Sequence, residues 1–204
     1  VQARGRAWGH LPDRVVRSAS LVKTMLMVAY LRRDGVRARP LGPAQRALLD
    51  PMIRRSDNDA ADRIYAIVRR SGLERVARAA GMRTFAAGPV FWGGSRTTAR
   101  DQAVLMRRVD ALLPPRHRSY AMGLLRDVVP SQRWGIARIV RPGWTVYSKP
   151  GWGSGPGAVT HQAALLVRGE RRIAVAIATT DNPSHKEGER TLRGVAARLL
   201  RTLR

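Results

Sequence analysis

An α+β architecture, with a helical lobe packed on an antiparallel sheet, is what the order of sequence patterns predicts. Apolar residues keep helical spacing from about residue 20 to residue 140. Three strand-like runs then follow, separated by turn-forming residues, and an amphipathic segment closes the chain. The 204 residues, 44% of them hydrophobic, suffice for one domain or two intimately packed lobes. The expected division puts residues 1–17 and 141–204 in an α/β lobe and residues 18–140 in the helical lobe, together one compact unit.

Each element has a local reason. The start, QARGRAWGHL, suits a short strand and turn. SLVKTMLMVAYLRR has helical periodicity, and Ser20 suits its first turn. GPAQRALLDPMIRR reads as a second helix, with Pro43 near its start and Pro51 predicting a kink or break. NDAADRIYAIVRR and GLERVARAAG read as two short amphipathic helices. RTFAAGPVFWGGSR has no period and is predicted to be a loop. TTARDQAVLMRRVDALL opens on capping residues and returns to helical period. PPRHRSYAMGLLRDVV carries proline in its first turn. GWTVYSKP, AVTHQAALLV and RRIAVAIATT read as strands, joined by the hairpin-like turns GWGSGPG and RGERR. KEGERTLRGVAARLLRTL is the closing helix.

Composition narrows the function. The net charge of +24 invites a polyanion partner. The arginines are spread over the whole chain, however, with no basic tail and no zinc-finger spacing. Aromatics are only 5%, which leaves few platforms for stacking bases. Specific nucleic-acid binding is therefore not expected, and loose attraction to anionic polymers is. The absence of cysteine excludes disulfides, thiolate metal sites and a cysteine nucleophile. His10, His117, His161 and His185 lack metal-ligand spacing, so no metal is expected. The longest apolar stretches, Met25–Leu31 and Ile173–Ala178, are too short to span a membrane. The first residue is Val1 rather than Met, so a processed product that has lost an export signal is one reading. Trp92 and Trp134 are expected to pack rather than to line a cleft.

Lysine usage singles out the chemistry. Only Lys23, Lys149 and Lys186 interrupt an otherwise all-arginine supply of cations. A titratable amine at Lys23 and Lys149 does what a guanidinium cannot. Ser20 and Lys23 stand three apart in an apolar run, so hydroxyl and amine share one face. Desolvation there lowers the lysine pKa and lets the amine take the serine proton. A snorkelling surface lysine is the competing reading. Ser56-Asp57-Asn58 precedes a helix, as an ordinary N-cap or as a second hydroxyl relaying a proton, and both readings can hold together. Lys149 ends a predicted strand before Pro150 and Gly151, where it could meet an anionic substrate group.

Taken in order, Ser20-x-x-Lys23, Ser56-Asp57-Asn58 and Lys149-Pro150-Gly151 resemble the three motifs of the penicillin-recognising serine hydrolases, which include class A β-lactamases and D-Ala-D-Ala peptidases. RTTARDQAVLM is similar to the helix start after that family's omega loop, and QRWGI to the segment before its third motif. The resemblance implies a β-lactamase/transpeptidase-like fold and acyl transfer through an acyl-serine, with no cofactor. It implies Ser20 as nucleophile, Lys23 as its base and Ser56 in the relay. It implies Asn58 on a substrate amide, Lys149 polarising Ser56 and attracting a substrate carboxylate, and Gly151 in the third motif. The oxyanion hole would be the backbone N–H groups of Ser20 and Trp152, each contributing roughly 3–4 kcal/mol. The implied partner is a β-lactam or a cell-wall peptide, and the implied location is outside the cytoplasm.

Three departures stand beside the resemblance. No Asp or Glu lies between Glu74 and Asp101, so the omega-loop Glu that activates water in class A enzymes is missing, and slow or absent deacylation by that route is expected. Pro150 stands where the family has Thr or Ser, which removes a hydroxyl that helps hold a substrate carboxylate, and proline is suited to an outer strand. The family's first helix and strand have no counterpart before Trp8, so the chain is a fragment or a compact branch whose sheet edge needs cover. A binding module that kept the fold and lost turnover is the alternative function.

Overall fold

The computed structural model describes residues 1–3 and 6–201. Predictions that touch Arg4, Gly5, Thr202, Leu203 and Arg204 lie outside the described residues. The main sheet has five antiparallel strands in the order β2-β1-β7-β6-β5. These are β1 Gln2–Ala3, β2 Arg6–Ala7, β5 Thr145–Gly153, β6 Val159–Arg168 and β7 Arg171–Thr179. A separate two-stranded pair joins β3 Val16–Arg17 to β4 Arg96–Thr97. The helices are α1 Lys23–Leu31, α2 Asp34–Arg37, α3 Pro43–Arg54, α4 Asn58–Ala80, α5 Ala99–Leu112, α6 Pro115–Arg126, α7 Ile136–Ile139 and α8 His185–Leu200. The α+β fold predicted from the patterns is the fold observed.

Helix α1 is buried on every side, which explains why its sequence is apolar throughout apart from Lys23 and Thr24. It packs on α3 and α4 and shares with α5 and α6 one core, which reaches the sheet through Ala163, Leu165 and Ala174. A second core lies between the other sheet face and α8, built on Trp134, Trp144, Leu166, Val175 and Leu192.

Several predictions need correction. Pro51 neither breaks nor ends α3, which runs on to Arg54. A proline in a helix interior costs about 3 kcal/mol. Met52 and Ile53 just beyond it are fully buried, and each such side chain returns about 1.5–3 kcal/mol. The two short helices predicted across residues 58–81 form one span, broken only at Arg69, whose φ is 57°. Gly72 follows the break, and a Cβ there would lie 3.5 Å from the Ala29 Cβ and 3.0 Å from the Val68 Cβ. Glycine thus lets the second half close on α1. The predicted GWGSGPG turn is shorter than expected. Strand β5 continues through Gly153 in register with β6, pairing Pro150 with Gln162 and Gly151 with His161. Strand β5 is an outer strand of the sheet, as a proline within it requires. The N-terminal hairpin of β1 and β2 pairs Gln2 with Ala174, so part of the β7 edge expected to lie bare is covered.

Candidate active site

The peptide enters the site from β3. Ser20 does not lie on α1 itself. It sits in a 3-10 turn, Ala19–Val22, that feeds directly into the helix at Lys23. With three residues per turn, positions 20 and 23 eclipse one another, which serves the predicted serine–lysine juxtaposition better than an α-helix would. Ala19 has φ 45°, a strained value for a residue with a Cβ, immediately before the serine.

Lys23 is fully buried, so the snorkelling reading does not hold. Its Nζ donates to the Ser56 carbonyl oxygen at 2.5 Å and to Asn58 Oδ1 at 2.7 Å, with Ser56 Oγ at 3.3 Å. Burial lowers its pKa from 10.5 to about 8, against an opposing pull from Asp57 and Asp62. Ser56 occupies the turn between α3 and α4 with φ 61°. That turn presents both its carbonyl and its hydroxyl to Lys23. Asp57 caps α4, accepting the Ala60 N–H at 2.8 Å. The Ser-Asp-Asn segment is therefore an N-cap and a lysine-binding turn at once.

Lys149 arrives from β5, also fully buried. Its Nζ donates to Ser56 Oγ at 2.9 Å and to the Pro150 carbonyl at 2.9 Å. Burial pushes its pKa well below the ordinary lysine value, and Lys23 adds to that. A single hydroxyl thus bridges two amines, both driven toward neutrality. Gly151 brings strand and turn together. A Cβ at that position would fall 2.9 Å from both the Ser20 and Leu21 backbone nitrogens. Trp152, the next residue, is half exposed and stacks on His185 at 4.8 Å between ring centroids.

The site contacts of two residues, His161 and Trp92, escaped sequence reasoning. His161, buried on β6, accepts the Thr179 N–H at Nδ1 (3.3 Å). Its Nε2 therefore carries the proton and donates to the Arg17 carbonyl at 2.9 Å, three residues before Ser20. Burial lowers its pKa to about 4, so it stays neutral as a fixed donor. Trp92 packs as predicted, yet its ring also lies 4.7 Å from Lys23 Nζ. Its Nε1–H donates to Asp62 Oδ1 at 2.6 Å. Trp134 packs in the second core. Signals existed for His161, a polar residue inside an apolar strand, but none pointed to Arg17 as its partner.

The other histidines are scattered: His117 meets the Val36 carbonyl and His185 meets Glu189. Among the described residues, no group of three or more His, Cys, Asp or Glu is placed to hold a metal. No helix among them is long and apolar enough to cross a membrane. A cavity of about 540 Å³, lined in part by Trp8, Leu11, Ile177 and Val195, holds none of the motif residues.

Comparison with known proteins accords with this fold. The model of the β-lactamase enzyme family matches residues 39–203, a span that starts after Ser20 and Lys23 and contains the other two motifs. No curated protein matches the chain by sequence. Among solved structures, the β-lactamase of Sphaerobacter thermophilus superposes with TM-score 0.81 at 21% identity, covering 97% of this chain and 87% of the other. The class A β-lactamase of Mycobacterium abscessus gives TM-score 0.79 at 22% identity, covering 98% and 89%. The structure titled PBP-A gives TM-score 0.73 at 21% identity, covering 94% and 83%.

Proposed function

The chain belongs to the β-lactamase enzyme family, and we propose that it is a serine acyl-hydrolase working through an acyl-Ser20 intermediate. The observation that carries this reading is the hydroxyl bridge. Ser56 Oγ lies 3.3 Å from Lys23 Nζ and 2.9 Å from Lys149 Nζ, beside the turn that bears Ser20.

The steps follow from the groups present. Neutral Lys23 takes the Ser20 hydroxyl proton as Oγ attacks a carbonyl carbon. The new C–O bond forms, and the carbonyl electron pair moves to oxygen. The N–H groups of Ser20 and Trp152 receive that oxyanion. When the tetrahedral centre collapses, the C–N bond to the leaving group breaks. Lys23 returns its proton through Ser56 Oγ to the departing nitrogen. Lys149 holds Ser56 in place and makes its proton easier to pass. Asn58 fixes the Lys23 amine and offers its side-chain amide to substrate.

The substrate is a β-lactam or a peptide ending in D-Ala, and the site works outside the cytoplasm, where cell-wall peptides are. The lobes 1–17 with 141–204 and 18–140 meet at this site. Deacylation is slow, because the loop opposite Lys23 has no carboxylate of its own. Pro150 and that loop also favour a second reading, a cell-wall peptide-binding module without turnover. Replacing Ser20 by Ala separates them. Turnover of a chromogenic β-lactam or a D-Ala-ended peptide should vanish, and undiminished turnover would refute the nucleophile. The binding module instead predicts peptide affinity unchanged by that substitution.

A further inference from the structure

The loop between α4 and α5 is built around one indole. Trp92 is almost fully buried, although Val90 and Phe91 beside it are exposed. Its carbonyl accepts the Ser95 hydroxyl at 2.7 Å, and Ser95 Oγ accepts the Gly88 N–H at 3.0 Å. The Phe91 ring lies so close over Gly93 that a Cβ there would sit 2.7 Å from it. The loop therefore holds the indole in one place. The ring faces the Lys23 amine, and the ring nitrogen grips Asp62 on α4. Asp62 itself is exposed to solvent.

We propose that Trp92 is a positioning residue of the Ser20 site: its indole roofs Lys23, excludes water from that side and stands between the amine and the Asp62 carboxylate. The proposal rests on the acyl-serine reading for its consequence, not for its geometry. Lys23 already spends its hydrogen bonds on Ser56 and Asn58. The ring face completes its shell with a partner that favours the cation and offers no proton acceptor. Asp62 is the acid that a water molecule near Lys23 would otherwise find. With the indole Nε1–H bound to it, that carboxylate is turned to the loop. An ester at Ser20 is thus shielded from hydrolysis by a side chain as well as by the lack of an acid in the loop.

The charged groups facing Lys23 are Asp57 at the cap of α4, Asp62 on α4 and, through Ser56, Lys149 from β5. Burial is the largest influence on Lys23 and outweighs the ring's attraction for the cation, so opening the roof raises its pKa, and removing the Asp62 charge lowers it.

The chain's three lysines make this directly measurable. Protein labelled with ¹³Cε-lysine gives three signals, with exposed Lys186 as the internal reference. Trp92→Ala should move the Lys23 titration midpoint upward by about half a pH unit or more, and Asp62→Asn should move it downward. Trp92→Phe, which keeps a ring but loses the Asp62 anchor, should move it upward by a smaller step and serves if the alanine variant does not fold. An unmoved midpoint in the folded Trp92 variants overturns the proposal. Its second half is read by intact mass spectrometry after penicillin treatment. Trp92→Ala or Trp92→Phe should shorten the acyl-Ser20 lifetime about tenfold, a change of about 1.4 kcal/mol, and an unchanged lifetime overturns water exclusion. If the unsubstituted protein forms no adduct, the β-lactam reading falls, while the lysine titration still decides the role of Trp92.

Discussion

Replacing Gly151 by Ala should cripple acylation while leaving the fold intact. The new methyl would meet the backbone nitrogens of Ser20 and Leu21 at 2.9 Å, where ordinary contact begins near 3.4 Å. Neither contact belongs to a flexible side chain, so strand and turn must part by about half an ångström. Both proposed oxyanion donors, the N–H groups of Ser20 and Trp152, flank this contact. Loss of one such donor costs about 2.7–4 kcal/mol, or about 10²–10³ in rate. The overpacking itself should cost about 1–3 kcal/mol of stability. The assay is the second-order rate of Ser20 acylation by a reporter penicillin, set beside a denaturant unfolding curve. Gly123→Ala is the control, because a Cβ in that part of α6 meets nothing within 4 Å. It should leave acylation unchanged and raise stability by up to about 1 kcal/mol. A folded Gly151→Ala protein that acylates at the original rate would refute the argument that this contact sets the oxyanion geometry.

Acylation should rise as pH passes about 8, the pKa to which burial lowers Lys23, because the neutral amine is the active form. A profile flat from pH 6 to 9 would contradict that role. The same group affects stability. Its folded pKa lies below the unfolded value of 10.5, so the unfolded chain binds more protons between about 8 and 10.5, and folding gains as pH rises through that window. The unfolding free energy of the unsubstituted protein, measured against Lys23→Met, should therefore increase from pH 7 to pH 10. Pro150→Thr restores a hydroxyl on the outer strand and should speed acylation by a carboxylate-bearing penicillin about tenfold, the scale of one hydrogen bond to a charged group. A methyl-esterified analogue should gain much less. His161→Phe leaves the Arg17 carbonyl without its donor and should lower stability by about 1–3 kcal/mol, seen as a reduced midpoint in denaturant.

The helical block, the three long strands and the closing helix were legible because each has a sustained period with its own start signal. The Thr98 cap of α5 and the Ser184 cap of α8 are examples. What stayed hidden depends on contacts distant in sequence. Proline's own preference predicts a kink or break at Pro51, but the burial of Met52 and Ile53 is a tertiary fact. The four-residue helices α2 and α7 carry too few residues for any period. At the site, the scarcity of lysine marked Lys23 and Lys149. It did not mark Trp92, whose bearing on Lys23 requires α4 and the following loop to fold back together. The partners of Lys149 were hidden as well. Lys149 is sealed beneath the strand, with Ser56 Oγ and the Pro150 carbonyl as its partners.

The most direct test of the account is intact mass spectrometry of the protein sampled over time with a penicillin, with Ser20→Ala alongside. The account predicts a mass increase of one penicillin on the unsubstituted chain alone, persisting long after the excess drug is removed. A folded protein that never gains the adduct would contradict the β-lactam reading. An adduct that forms equally on Ser20→Ala would contradict the nucleophile.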